Sequence, residues 1–478
     1  MQSGDGLLVR VRTGAAPVSS KNIRDLVELA TQYGNGQLEL TRRGNVQLRG
    51  VHEWGLGALQ GALVACGLGL ASAELEARLA LTADPLSGLD SRCARIDALA
   101  ALLSSALLAA PGPWRLPPKF GVVLDGGSGA LDHVSADIRV RVEPDAPERA
   151  CLFAAGCAAD AVALGSCCTV DAPRALLVLI AHLADASSGG QRMRDVIAAR
   201  GTAPLHAALG DLLRAKPAAC GVVAGAPCDA QSRDVSDEVA RTSLHAATTR
   251  PLVGYVPPQA APAQNPAVCD SARDTRYGAR RVGRDDGAAG DVVSANAALG
   301  YVGLGLAFGA GDVGLWRRLA DWADTYAGGA MRVTASRSVL LAGVRPDRAR
   351  ALLYEARAAG LIVEPDDPLL RVEACPGAPA CSSAHGETRG LARTLVQVAR
   401  PLLRAHTTLH VSGCKKACAH SGAAGLTVVH SEAGVHLGFD CDAGRALEAA
   451  PGSVAHIERL LSVQANVPAA CTQESLGP

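Results

Sequence analysis

Residues 26–51 return 293 positions later as residues 319–344, aligned without a gap and identical at nine of 26 positions. A duplicated unit fixes architecture before any motif is read. The shared residues are Leu26, Ala30, Tyr33, Gly36, Thr41, Val46, Leu48, Gly50 and Val51, matched by Leu319, Ala323, Tyr326, Gly329, Thr334, Val339, Leu341, Gly343 and Val344. Leu26, Leu29, Ala30 and Tyr33 recur at helical intervals, whereas Leu38 with Leu40 and Val46 with Leu48 alternate as strands do, around a turn at Arg43-Gly44-Asn45. A further strand is expected ahead of each helix, over residues 7–11 and 301–308. Each copy therefore reads as strand, helix, strand, strand.

The 478 residues amount to about three ordinary domains. With 49% hydrophobic and 19% charged residues and a mean hydropathy of +0.17, the chain has the apolar material for several cores. Lys+Arg and Asp+Glu balance at 46 each, which argues against a protein that coats nucleic acid or lies on an anionic membrane. Local basic pockets stay open, and they would be made of arginine, since the only lysines are Lys21, Lys119, Lys216, Lys415 and Lys416. The first residues show no basic segment followed by an apolar one, so a cytoplasmic location is expected. The longest apolar stretch, residues 96–110, is broken by Asp97, Ser104 and Ser105 and falls short of the roughly 20 residues a membrane span needs. The expected plan is a first unit over 1–70, a long domain over 71–248, a Pro- and Gly-rich linker over 249–293, a second unit over 294–360 and a shorter domain over 361–478. Helical runs at 96–108 and 175–183 and strand candidates at 120–124 and 136–142 mark the long domain as α/β.

Of the 15 cysteines, four form two close pairs: Cys375 and Cys381 are spaced C-x5-C, and Cys414 and Cys418 are spaced C-x3-C. Four thiolates in two pairs suit a [4Fe–4S] cubane, and Gly377, Pro379 and Gly413 supply turns that let backbone wrap it. Zinc is the competing metal, but its structural pairs are usually C-x2-4-C; four core cysteines are the bland alternative. Cys151 and Cys157 repeat the C-x5-C spacing in apolar, glycine-poor surroundings, and Cys167 and Cys168 are adjacent. These, with Cys66, Cys93, Cys220, Cys228, Cys269, Cys441 and Cys471, are expected in the core. Gly309-Ala-Gly311-Asp-Val-Gly314 has the form of a dinucleotide fingerprint, yet the equivalent turn of the first copy, within residues 14–22, lacks the pattern.

Two duplicated units, the first with a T-x-R turn at Thr41 to Arg43, and the C-x5-C and C-x3-C pairs together resemble the sirohaem nitrite and sulfite reductase superfamily. The resemblance spans nearly the whole chain. It implies an α+β fold with two ferredoxin-like half-domains and two α/β domains of the sirohaem, 4Fe-4S type, arranged about a pseudo-two-fold axis. Within the superfamily, residues 5–12, 84–90, 116–120 and 411–420 are most similar to the precorrin-3B synthase branch. Reductases resemble one another in placing an arginine two residues before the first-copy threonine and a basic residue two after the lysine of L-P-x-K-F; here those positions hold Glu39 and Gly121. Loss of both cations is expected to disfavour a small anionic substrate.

That branch implies a monooxygenase acting on precorrin-3A at C20 with formation of a lactone, O2 as oxidant, NADH as electron source through the 4Fe-4S cluster, an electron-donor protein and a mononuclear non-haem iron. A uroporphyrinoid substrate carries a ring of carboxylates, which arginine forks match. The expected substrate-binding residues are Arg10, Arg12, Arg42, Arg43, Arg49, Lys119, Arg332 and Arg337, with Thr41 and Gln47 weaker. His385, His410, His420 and His436 are the imidazoles near the cluster segment, and no spacing selects a pair among them. Two other readings stay open: a sirohaem-dependent reductase of nitrite or sulfite, and a non-catalytic tetrapyrrole-binding iron–sulfur protein.

Overall fold

The computed structural model describes residues 2–13, 16–111, 114–186, 190–213, 252–257, 299–403, 407–420 and 422–465. The first half-domain runs β1 (Gln2–Ser3), β2 (Gly6–Val11), β3 (Val18–Ser19), α1 (Ser20–Tyr33), β4 (Gln37–Leu40), β5 (Val46–Val51) and α2 (Leu56–Ala65). A short α3 (Ala73–Arg78) leads into the first α/β domain: β6 (Leu81–Ala83), α4 (Asp97–Ala109), β7 (Val122–Asp125), β8 (Ala136–Glu143), β9 (Ala146–Gly156), β10 (Val162–Cys168) and α5 (Ala172–Ala186), with α6 (Met193–Arg200) and α7 (Ala203–Leu209) beyond. The second half-domain follows as β11 (Gly254–Val256), β12 (Gly300–Gly305), β13 (Ala310–Asp312), α8 (Val313–Tyr326), β14 (Ala330–Val333), β15 (Ser338–Val344) and α9 (Pro346–Ala358). The last domain holds β16 (Val372–Ala374), α10 (Arg389–Ala399), β17 (Leu409–Ser412), β18 (Ala424–Ser431), β19 (Gly434–Cys441), α11 (Ala443–Ala446) and α12 (Val454–Ala465).

The halves exchange strands. β13 of the second half pairs with β4 of the first, Asp312 opposite Gln37 and Gly311 opposite Leu38; β3 of the first pairs with β14 of the second, Ser19 opposite Ala330 and Val18 opposite Met331. Each contact is the other shifted by 293, so the junction is a two-fold within one chain. The helix that follows each exchanged strand is capped alike. Ser19 accepts from the Asn22 N–H at 3.0 Å, and Asp312 from the Leu315 N–H at 2.8 Å. This explains Gly309-Ala-Gly311-Asp-Val-Gly314, which here is an edge strand and a helix cap: a Cβ on Gly311 would lie 2.9 Å from Leu315 and 3.1 Å from the Trp316 ring. Leu26, Ala30, Leu38 and Leu48 share one core with Leu319, Ala323, Val339 and Leu341.

Part of the expected linker is structured. Gly254–Val256 pairs antiparallel with β12 and occupies the edge that β1 takes in the first half; the rest of residues 249–293 lies outside the described residues, apart from 252–257. The duplication also extends further than the sequence comparison reached. β6 pairs parallel with β7, β7 parallel with β8 and β8 antiparallel with β9, and β16 to β19 repeat this order. Among the described residues no helix is long and apolar enough to cross a membrane.

Trp316 lies fully buried on α8, and its indole N–H points at the Leu38 carbonyl of the other half at 3.4 Å. Trp316→Ala is expected to destabilise the protein by about 3–5 kcal/mol. An unchanged midpoint in urea denaturation would contradict a core shared by the two halves.

Candidate functional site

Cys375 follows β16 directly and Cys414 lies two residues after β17, so two neighbouring parallel strands deliver a thiol each to the same sheet edge. The Cys381 N–H bonds to the Gly377 carbonyl at 2.8 Å, the Ala378 N–H to Gly386 at 2.9 Å and the His385 N–H to Gly413 at 2.8 Å, closing the first loop over the second. Gly377 has φ +70°, and a Cβ there would lie 2.7 Å from Thr388. The Gly413 N–H donates to Cys375 Sγ at 3.3 Å, the kind of bond that tunes a ligating sulfur. Burial and then the neighbouring thiols of Cys414, Cys375 and Cys381 raise the Cys418 thiol above its ordinary range, so the other three lie within electrostatic reach of Cys418. No three His, Cys, Asp or Glu side chains among the described residues converge as ligands of a single ion. The same result leaves His385, His410, His420 and His436 without a convergent carboxylate, so no mononuclear iron site is assembled among the described residues. Beside the loops an open groove of about 680 Å³ reaches Cys414 and is walled by His385, Lys415, Lys416 and His430.

The other cysteines divide. Cys93, Cys151 and Cys167 are buried as expected, but Cys66, Cys157, Cys168 and Cys441 are only half-buried, and Cys220, Cys228, Cys269 and Cys471 lie outside the described residues.

The eight expected tetrapyrrole contacts separate by where their charges go. Arg10 and Lys119 have exposed side chains with no ion pair among the described residues. Arg12 is held loosely, 3.7 Å from Glu76 and 3.4 Å from the Leu79 carbonyl. Arg43 donates to the carbonyls of Lys119 at 2.8 Å and Phe120 at 2.9 Å. Burial lowers the pKa of Arg43, and repulsion from Arg192, Arg10 and Arg12 lowers it further, so these cations lie within electrostatic reach of Arg43. Arg42 and Arg337 converge on Glu373 at 3.9 and 2.6 Å, and Arg42 also donates to the Ala419 carbonyl at 2.9 Å, next to Cys418. Arg49 and Arg332 are not available to a substrate. Arg49 is buried between Asp5 at 2.9 Å and Glu39 at 3.3 Å; Arg332 donates to Ser87 at 2.6 Å and Pro85 at 3.0 Å. Thr41 is a turn residue, its hydroxyl accepting from the Asn45 N–H at 3.2 Å, and Thr334 repeats this with Ser338 at 3.2 Å.

Glu39 and Gly121 also correct the electrostatic expectation. Glu39 is buried and neutralised by Arg49 and by Arg389 at 2.6 Å, so it does not repel an anion. At Gly121 a Cβ would stand 3.0 Å from the Arg43 guanidinium, so the glycine makes room for a cation from another element. The sequence pattern missed His133, Arg192 and Arg389, whose roles depend on contacts between distant segments. Desolvation first and the charge of Arg42 second lower the His133 pKa, with Glu373 acting in the opposite sense. His410 is wholly buried, with neither ring nitrogen bonded, and its ring centroid lies 5.6 Å from that of His420.

A family model described as "Nitrite/Sulfite reductase ferredoxin-like half domain" matches residues 1–66 and 297–359, the two copies of the repeat. A precorrin-3B synthase from Sinorhizobium sp is 28% identical over 440 residues, covering 91% of this chain and 80% of that protein. Among solved structures, the NirA protein of Mycobacterium tuberculosis superposes with a TM-score of 0.62 at 16% identity, over 90% of this chain and 73% of that one. The chain thus has the α+β fold of that structure, matches the half-domain model at both copies of its repeat and is similar to a precorrin-3B synthase along most of its length.

Burial, followed by the charges of His420, Arg42 and Arg337, pushes the His410 pKa down to about 4. The folded protein keeps this ring neutral while the unfolded chain binds a proton below about pH 6.5, so its contribution is intact above that pH and lost between 6.5 and 4, up to about 3 kcal/mol. His410→Leu is expected to flatten the fall in thermal stability across this window. Equal slopes for the two proteins would refute the assignment.

Proposed function

We propose that this chain is a monooxygenase of the precorrin-3B synthase type, hydroxylating precorrin-3A at C20 with lactone formation in aerobic cobalamin biosynthesis, with electrons entering through a 4Fe-4S cluster held by Cys375, Cys381, Cys414 and Cys418. What carries the reading is a juxtaposition: Arg42 on the first hairpin bonds the carbonyl next to Cys418, so the arginine-bearing hairpin adjoins the four-thiol loops. The similarity to the Sinorhizobium enzyme supplies the substrate class.

One oxygen atom of O2 enters the substrate and the other leaves as water, with two electrons and two protons consumed. A cubane, when bound, supplies single electrons and cannot accept a hydride, so NADH acts through a carrier that delivers electrons singly. The groove by Lys415 and Lys416 gives such a carrier access to Cys414. Arg10 and Lys119 are free to pair with substrate carboxylates, while Arg12 and Arg43, fixed by carbonyl contacts, add field along the same wall. Arg42 and Arg337, anchored on Glu373, hold the substrate's far edge against the loop of the fourth thiol. The His133 ring, kept neutral at pH 7 by burial and by the charge of Arg42, is a further hydrogen-bonding group near Arg42.

The test is anaerobic purification with iron, sulfide and pigment analysis, followed by oxygen uptake on addition of precorrin-3A. About four iron and four sulfide per chain, no sirohaem and substrate-dependent uptake are expected. Stoichiometric sirohaem would identify a reductase instead, and cluster without uptake a binding protein. Cys418→Ser should lose the cluster; full iron retention would remove that cysteine from the ligand set. Arg10→Ala and Lys119→Ala are each expected to raise KM about two- to fivefold, less at high salt, as exposed ion pairs do.

A further inference from the structure

We propose that Arg49 and Ser3 are positioning residues for the cluster, clamping the loop that presents Cys381 from the first half-domain; this rests on the cluster assignment above. The Ser3 hydroxyl donates to the Ala380 carbonyl at 2.7 Å, and Arg49 Nη2 donates to the same carbonyl at 3.2 Å. Between Ser3 and Asp5 the backbone lies against the loop itself: a Cβ on Gly4 would stand 2.6 Å from the Pro379 carbonyl and 2.8 Å from the Ser382 nitrogen. The Arg49 guanidinium is held in turn by both Asp5 oxygens at 2.9 Å and by Glu39 at 3.3 Å, and Glu39 is tied at 2.6 Å to Arg389, at the start of α10 in the cluster domain. The ion chain thus begins and ends on the domain whose loop it holds.

The other half of the molecule is an internal control. Shifted by 293, Arg49 becomes Ala342, a residue with no charge on a strand of the same fold and the same register. The half-domain fold therefore does not require a buried arginine at this place. Only the half that docks beside the thiol loop has one. A buried guanidinium bound to two carboxylates is costly to assemble unless its geometry is complete, and here the last donor is aimed at a carbonyl one residue before a ligand.

Arg49→Lys keeps a positive charge between Asp5 and Glu39 but cannot reach both acids and Ala380. Ser3→Ala removes the second bond and leaves no charge behind. Both are to be compared with the full-length wild type by thermal denaturation, by iron and sulfide content, by the EPR spectrum of the dithionite-reduced protein and by the rate of bleaching in air. The expected result is a melting temperature close to wild type with bleaching several-fold faster and shifted EPR g-values, the lysine variant more affected than the alanine. If the wild type holds no cluster, the functional reading fails and this inference with it. If the wild type holds one and both variants match its spectrum and bleaching rate, or merely melt earlier with the cluster unaltered, the inference is wrong while the reading stands. Should Arg49→Lys fail to fold, Ser3→Ala decides by the same criteria.

Discussion

The reciprocal exchange of one short strand between the half-domains is the constraint on which the other parts depend. Strand addition satisfies an edge that would otherwise present unpaired N–H and C=O groups, and each exchanged strand runs straight into a capped helix, so the edge contact fixes the helix as well. The exchange is locked at both ends: the Ser20 N–H bonds Gly329 at 2.8 Å, and the Val313 N–H bonds Gly36 at 3.0 Å, again 293 residues apart. With α1 and α8 set, the two hairpins are fixed on opposite sides of the axis. Each then faces the α/β domain of the other half: Glu39 meets Arg389, and Arg332 meets the 84–97 segment.

Those two contacts carry opposite signs at equivalent positions. Glu39 and Arg332 differ by 293, and their partners Arg389 and Asp97 are the first residues of equivalent helices. An acid at a helix start is favoured by the dipole and an arginine is not, so Arg389 sits where local preference opposes it, and Glu387 supplies the capping carboxylate through the Gly390 N–H at 2.7 Å. Docking the wrong half-domain on the cluster domain would set Arg332 against Arg389. In a molecule built of near-repeats, this like-charge clash separates right from wrong pairing where shape does not.

The repeat, its helices and strands and the pairing of four cysteines on neighbouring loops are legible because each is written in spacing along the chain. Helix periodicity at Leu26, Leu29 and Ala30 and the two cysteine pairs need no knowledge of distant contacts. The destinations of the arginines were not legible, because a guanidinium chooses among partners that only the fold brings near: Arg49, Arg42 and Arg10 lie within 40 residues and end in a buried ion network, at the thiol loop and in open cleft. Glu39 misled for the same reason, since its charge counts only together with Arg49 and Arg389. The equivalence of the two α/β domains, implied by the family resemblance, is also faintly written in spacing. Asp84 and Asp90 stand 291 residues before Cys375 and Cys381 in the same x5 spacing, disguised by a change of residue type.

That change decides why a symmetric fold has an asymmetric centre. The Gly126 N–H donates to Asp84 Oδ2 at 3.2 Å just as the Gly413 N–H donates to Cys375 Sγ at 3.3 Å, so the same backbone turn holds a carboxylate in one domain and a thiol in the other. Asp84 then satisfies itself within the protein, accepting from the Ser128 hydroxyl at 2.7 Å and the Leu86 N–H at 3.0 Å, and it fills its own site. On the other side the turn is strained for its cargo: Ala417 adopts φ +49° between Cys414 and Cys418, a conformation costing about 1 kcal/mol for any residue with a Cβ. One domain has closed its turn with hydrogen bonds to a carboxylate, and the other carries two cysteine pairs at the equivalent turns. The asymmetry extends to the hairpins, since the one that crosses to the thiol loops carries Arg42, bonded to the Ala419 carbonyl, and Arg49, bonded to the Ala380 carbonyl.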